Sequence, residues 1–121
     1  MIGLGIDAVD VERFRRVLER RPGILERVFS DAERADLARR SDPVPGLAAR
    51  FCAKEAAMKA LGVGLGGIAL AEVEVLRSAS GAPHLRTSGR AAELAERLGV
   101  TAWHVSLTHT ADLAGAVVVT R

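Results

Sequence analysis

The sequence predicts an α+β domain whose strands pair largely antiparallel and pack with helices. Three observations predict it. The apolar spacing switches along the chain between alternation and helical periodicity. The segments run strand, helices, two strands, helix, two strands. A glycine, a proline or a capping residue stands at most of the boundaries. The 121 residues suit one domain, taken as residues 1–121, without repeats or low-complexity segments.

Residues 1–6 are apolar and glycine-containing and are expected to form a strand that ends at Asp7. Asp10 is placed to cap a helix from residue 11 to about 21, with Val11, Phe14, Val17 and Leu18 on its apolar stripe. Arg13, Arg16 and Arg20 form a second stripe on that helix, and Pro22-Gly23 ends it. Ser30-Asp31-Ala32-Glu33 has the form of a capping box and should open a short helix through about residue 40. Residues 41–45, with two prolines, form a loop. Residues 46–61, rich in Ala, Leu, Lys and Glu, are the clearest helix, and Gly62 is its natural stop. Its stripe holds Leu47, Phe51 and Met58, with Lys54 and Glu55 on opposite flanks. Charges at the edge of a buried face are costly unless partnered. Residues 63–67 are a glycine-rich loop. Residues 68–76 are expected to form a strand with Glu72 and Glu74 on one face, 78–83 a turn, and 84–87 the return strand. Residues 90–98 form a helix stopped by Gly99. Residues 101–108 alternate, with Trp103, Val105 and Leu107 opposite His104, Ser106 and Thr108. A turn at 110–112 leads into the last strand, Leu113–Thr120.

The chain is 49% hydrophobic but only 3% aromatic, so the core is aliphatic. A chain this short buries a limited fraction of its surface, and oligomerisation would help it. A net charge of +2 does not mark a nucleic-acid binder. The bases are nearly all Arg, the only lysines being Lys54 and Lys59. A guanidinium suits bidentate pairing with phosphate or carboxylate, although base composition alone accounts for Arg abundance as readily. A single cysteine, Cys52, excludes an internal disulfide and fits a reducing compartment. The N-terminus lacks a basic stretch followed by an apolar core, and no apolar run reaches the roughly 20 residues that span a bilayer. A cytoplasmic protein without membrane or nucleic-acid partners is expected.

Several residues can carry chemistry. Asp7 serves either as a cap or turn residue or as a metal ligand. Two carboxylates with substrate phosphates filling other positions are the usual way to hold Mg²⁺, and Glu55 is the candidate second carboxylate. Glu55 and Lys59, at i and i+4, equally suit a helix-surface ion pair. Arg50, Lys54 and Lys59 together can present positive charge to an anion, while Cys52 reads as a packing residue. The glycines of residues 62–67 fail as a dinucleotide fingerprint, because the helix precedes them instead of following. Ser106 and His109 lack the nucleophile-elbow pattern. His109 beside Thr110 reads as a phosphate or ribose contact or as a polar turn residue, and His104 as structural.

Three blocks together resemble a known family. They are Gly5-Ile6-Asp7 with Arg13 following, Arg50-Phe51-Cys52-Ala53-Lys54-Glu55-Ala56 with Lys59-Ala60-Leu61-Gly62, and His104-Val105-Ser106-Leu107-Thr108-His109-Thr110. In order and spacing they are similar to the holo-acyl-carrier-protein synthases, across almost the whole chain. The central block is similar to that family's R-F-A-A-K-E-A…K-A-[LF]-G signature, with Cys52 in place of its usual Ala. Leu70 and Glu72 stand where the family often has an aromatic residue and an Asp, and Trp103 is bulkier than many members carry.

The resemblance implies the 4′-phosphopantetheinyl transferase fold and a homotrimer with active sites between subunits. It implies Mg²⁺ held by Asp7 and Glu55, and Lys59 facing the phosphates of coenzyme A. Arg50, Lys54, Gly62, His109 and Thr110 are implied on the same substrate. Arg13, with Arg16 and Arg20 on its stripe, is implied to dock an acidic helix of an apo-acyl carrier protein. The implied reaction is attack of a carrier serine on the β-phosphorus of coenzyme A, with adenosine 3′,5′-bisphosphate leaving and Glu55 or a metal-bound water as the candidate base. A non-catalytic coenzyme A or carrier-protein binding subunit would keep the bases, but it has no need of both acids.

Overall fold

The computed structural model describes residues 2–64 and 66–121. The expected strand start at Met1 and Leu65 of the glycine-rich loop lie outside the described residues. In chain order the elements are strand β1 (Gly3–Asp10), helices α1 (Val11–Arg20), α2 (Ile24–Val28), α3 (Asp31–Leu37) and α4 (Val44–Leu61), and a 3₁₀ turn at Leu70–Glu72. Strands β2 (Val73–Arg77) and β3 (Pro83–Thr87), helix α5 (Gly89–Arg97) and strands β4 (Trp103–His109) and β5 (Leu113–Thr120) follow. The strands form two antiparallel sheets, β1-β5-β4 and the hairpin β2-β3. The expected α+β architecture is therefore the observed one.

The local signals act as their chemistry requires. Asp10 accepts a bond from the backbone of Arg13 at 2.8 Å and caps α1. Ser30 and Glu33 exchange both bonds of the capping box at the start of α3. Gly62 ends α4 in the left-handed region, φ 75°, where a side chain would be strained.

Two expectations are corrected, and one further element appears. β1 does not stop at Asp7; it stays paired with β5 through Asp10, so Asp7 lies in mid-strand opposite Ala116. Residues 68–72 do not extend the second strand: Glu72 folds back to accept from the backbone of Ala69 at 2.7 Å, and the chain turns before β2 begins. Helix α2 is not predicted by the spacing, because its five residues are too few to display a period.

α4 is the spine of the molecule. It is buried on nearly every side, 13 of its 18 residues being buried, instead of along one stripe. Ala48, Ala53, Ala56 and Ala57 are fully buried, and their small side chains let both sheets approach closely. The approach is closest at β1. A Cβ on Gly5 would sit 1.8 Å from the carbonyl oxygen of Ala56, and one on Gly3 2.0 Å from that of Ala60. Only glycine allows this strand to lie against the helix backbone.

Behind α4 lies a buried charge network. The Lys54 ammonium donates to Glu33 Oε1 at 2.8 Å, to the carbonyl of Val73 at 2.6 Å and to that of Leu70 at 3.2 Å. It also lies 5.5 Å from the ring centre of Phe29. Glu33 Oε2 accepts from the backbone of Val75 at 3.1 Å. Both side chains are fully buried, and the pair ties α3, α4 and β2 together. Burial holds the Lys54 pKa below its usual value, with Glu33 opposing that shift.

Candidate active site

Strand alternation decides what β1 presents. Gly3, Gly5 and Asp7 face α4, while Leu4, Ile6 and Ala8 face outward and are exposed. The two glycines bring the strand in, and Asp7 then faces the flank of α4 that carries Glu55 and Lys59. Lys59 Nζ donates to the Ile6 carbonyl at 2.9 Å and lies 3.4 Å from Asp7 Oδ1. Asp7 keeps 19% of its side chain exposed and Lys59 55%, so the cluster opens to solvent. Burial, and next the Asp7 carboxylate, hold the Glu55 carboxyl above the usual carboxylate range, with Lys59 opposing.

This donor set suits a hard divalent cation. Two carboxylates converge where a second positive charge would relieve their repulsion. Among the described residues no third His, Cys, Asp or Glu completes a cage. Mg²⁺ keeps several waters and takes substrate phosphates, so one or two protein carboxylates suffice. Cys52, one turn before Glu55, does not compete as a ligand: burial, then Asp7, push its thiol up to about 12. The free thiol packs in the core with Sγ 3.6 Å from the Ala114 carbonyl.

Of the residues expected at one site, the structure brings Asp7, Glu55 and Lys59 together. It does not bring Arg50 or Lys54 there. The Lys54 ammonium is spent on its three acceptors behind the helix. Arg50, equally buried, pairs with Asp36 and donates to the Glu33 carbonyl at 3.4 Å. Neither charge is free for an anion, because each already neutralises an acid of α3. Gly62 lies one turn beyond Met58, but its N–H closes the helix cap onto Lys59 and Met58.

His109 ends β4, the edge strand farthest from β1, and Thr110 follows it in the turn. The register sets His109 against Ala114 and so two strands across from Val9, on the order of 10 Å from β1. His109 is exposed, while the Thr110 hydroxyl accepts from Leu113 at 3.0 Å and shapes the turn.

Arg13, Arg16 and Arg20 are all exposed on α1. Arg15 points elsewhere, clamping Asp42 with bonds of 3.0 and 2.8 Å and so fixing α1 against the chain entering α4. Beside Arg13 runs a groove of about 390 Å³ between α1, α2 and β1, lined among others by Phe14, Val17, Ile24, Val28 and Phe51. Sequence reasoning missed this groove because α2 supplies its far wall. It also missed Gly3 and Gly5, although glycines at i and i+2 ahead of an alanine-rich helix were a usable signal of close approach.

A family model described as the 4′-phosphopantetheinyl transferase superfamily matches residues 3–118. The chain is 50% identical over 119 residues to a holo-[acyl-carrier-protein] synthase of Clavibacter michiganensis, covering 98% of this chain and 94% of that one. Its fold superposes on the crystal structure of holo-[acyl-carrier-protein] synthase from Neisseria meningitidis with a TM-score of 0.90 at 28% identity, covering 100% and 99% of the two chains. The Bacillus anthracis holo-(acyl-carrier-protein) synthase, solved in complex with CoA (3′,5′-ADP), matches with a TM-score of 0.82 at 30% identity, covering 98% and 95%.

Proposed function

This chain belongs to the 4′-phosphopantetheinyl transferase superfamily, and on that premise we propose that it is a transferase that moves 4′-phosphopantetheine from coenzyme A to a serine of an apo-acyl carrier protein. The observation that carries this reading is the Asp7, Glu55 and Lys59 cluster, in a chain alike over nearly its whole length to holo-acyl-carrier-protein synthases.

Asp7 and Glu55 would hold Mg²⁺, and the donor set fits it. When bound there it supplies positive charge against the pyrophosphate and polarises it. The chain's own residues do the rest. Lys59 reaches the phosphates from α4 and offsets charge on the leaving group. The serine oxygen forms its bond to the β-phosphorus as the bond to adenosine 3′,5′-bisphosphate breaks. The serine proton must leave at that moment, and the raised pKa of Glu55 suits a carboxylate asked to accept it. His109 and Thr110 contribute polar contacts to the nucleotide from the end of β4, and Gly62 lets the chain after α4 pass close to it.

Arg13, Arg16 and Arg20 form the docking face for an acidic helix of the carrier, and the apolar groove beside Arg13 takes that helix's apolar side chains. A homotrimer belongs to the same reading. The outer sheet face supports it: Leu4 is 55% and Ile6 68% exposed, beside the half-buried Val117 and Val119. The cytoplasm belongs to it too, supported by the single free thiol. Among the described residues no helix is long and apolar enough to cross a membrane.

The test incubates the protein with coenzyme A, Mg²⁺ and an apo-carrier, then weighs the carrier. A mass gain of one phosphopantetheine is expected, lost in Asp7→Asn and Glu55→Gln with the fold intact. Near-normal turnover in both variants would overturn the metal assignment. Light scattering that finds an active monomer would overturn the trimer.

A further inference from the structure

Lys59 lies on an exposed flank, yet its ammonium is tethered to the protein. It folds back onto the Ile6 carbonyl at 2.9 Å and Asp7 Oδ1 at 3.4 Å. A long, flexible cation pays rotamer entropy to be held this way, and something must compensate for it. The compensation is the carboxylate pair. Asp7 and Glu55 repel one another, and Lys59 pairs with Asp7 and lies one helical turn from Glu55 on the same flank of α4. The Cys52 thiol is a further titratable group of this neighbourhood, and Ala116 and Leu107, which pair across the sheet from Asp7, bring no charge.

We propose that Lys59 is the resident counter-cation of the Asp7–Glu55 pair, with its ammonium lying where it competes with the divalent metal, so that metal and coenzyme A enter as a coupled pair. The inference rests on the metal site of the preceding section. An ammonium cannot neutralise Asp7 and reach a pyrophosphate in full at the same time. When coenzyme A arrives, its phosphates draw Lys59 off the carboxylates. The acids are then uncovered for the metal at the moment its remaining ligands, the phosphate oxygens, are present. Without nucleotide the metal meets a pair already served by a tethered cation. Such coupling is reciprocal: the metal must tighten coenzyme A by the same factor.

The test measures Mn²⁺ binding by electron paramagnetic resonance at about pH 8, where ordinary carboxylates are ionised, with and without coenzyme A, correcting for Mn²⁺ held by free coenzyme A. The proteins are the parent chain, Lys59→Met and Asp7→Asn, each checked for folding by circular dichroism. An adjacent charge shifts a carboxylate's proton affinity by about 1–3 pK units, so Lys59→Met should bind Mn²⁺ at least about tenfold more tightly without coenzyme A. It should also lose a matching part of the tightening that coenzyme A confers on the parent chain. Asp7→Asn should lose Mn²⁺ in every condition. If Asp7→Asn loses the metal while Lys59→Met binds it no better than the parent, the counter-cation role is wrong and the metal site stands. If Asp7→Asn keeps Mn²⁺, the metal site itself is wrong and this inference falls with it.

Discussion

Replacing Gly5 by alanine tests how the fold positions the chemistry. The added Cβ would lie 1.8 Å from the Ala56 carbonyl oxygen, 2.7 Å from its carbon and 3.0 Å from the Ala60 nitrogen. Carbon contacts settle near 3.5 Å, so β1 must withdraw from α4 by about 1.5 Å at this point. All three atoms are helix backbone, so no side chain can swing aside. The strain, shared with the β5 ladder, should cost about 1–3 kcal/mol of stability. Asp7 lies two residues on, facing the same way, and it moves with the strand. A misplacement of about 1 Å at a reacting centre can lower a rate on the order of 100-fold. Thermal unfolding and carrier modification by mass spectrometry are the assays. If Gly5→Ala stays folded and turns over within about threefold of the parent chain, the close approach does not position Asp7 and the reasoning fails.

Lys54→Met leaves Glu33 buried without its cation and should cost about 3–5 kcal/mol in urea unfolding; adding Glu33→Gln, which keeps the Val75 bond but removes the charge, should recover part of it, and an unchanged midpoint in Lys54→Met would show the pair to be dispensable. Glu55 has a folded-state pKa above its unfolded value of 4.5, so its contribution favours folding below that value and is lost as pH rises through the folded value. Glu55→Gln should therefore unfold at a higher temperature than the parent chain at neutral pH, with the gain vanishing in acid; a melt showing the gain only in acid would reverse the sign. Arg13→Glu should raise KM for the apo-carrier and leave KM for coenzyme A nearly unchanged, with added salt acting on the parent chain in the same direction. Steady-state kinetics that find neither effect would move the docking face elsewhere.

Much of this molecule is legible in its sequence, for identifiable reasons. Asp10, the Ser30–Glu33 box and Gly62 act within a few residues, so their spacing carries their meaning. The alternation of β4 survives because one face is covered and the other is not. Asp7 reads as a strand end because acids are rare within strands, and the partner that holds it in mid-strand comes from the far end of the chain. Lys54 and Arg50 misled for a related reason. Their partners Glu33 and Asp36 sit on another helix, and no local pattern links them. Helix periodicity located the flanks of α4 correctly but could not say which flank is buried in the protein and which opens to a ligand. Lys54 lies on the first kind and Lys59 on the second.

The alternation in β1 also bears on how this chain can change over evolutionary time. Gly3, Gly5 and Asp7 occupy one side of the strand, and Leu4, Ile6 and Ala8 the other. A substitution edits one of these two messages. A one-residue insertion or deletion between Gly3 and Asp7 would exchange them, sending the carboxylate outward and driving a leucine or isoleucine against the backbone of α4. Homologous chains should therefore hold the count of residues from the first glycine to the acid more strictly than the identity of the outward side chains. Length, more than composition, is the inherited quantity in this strand.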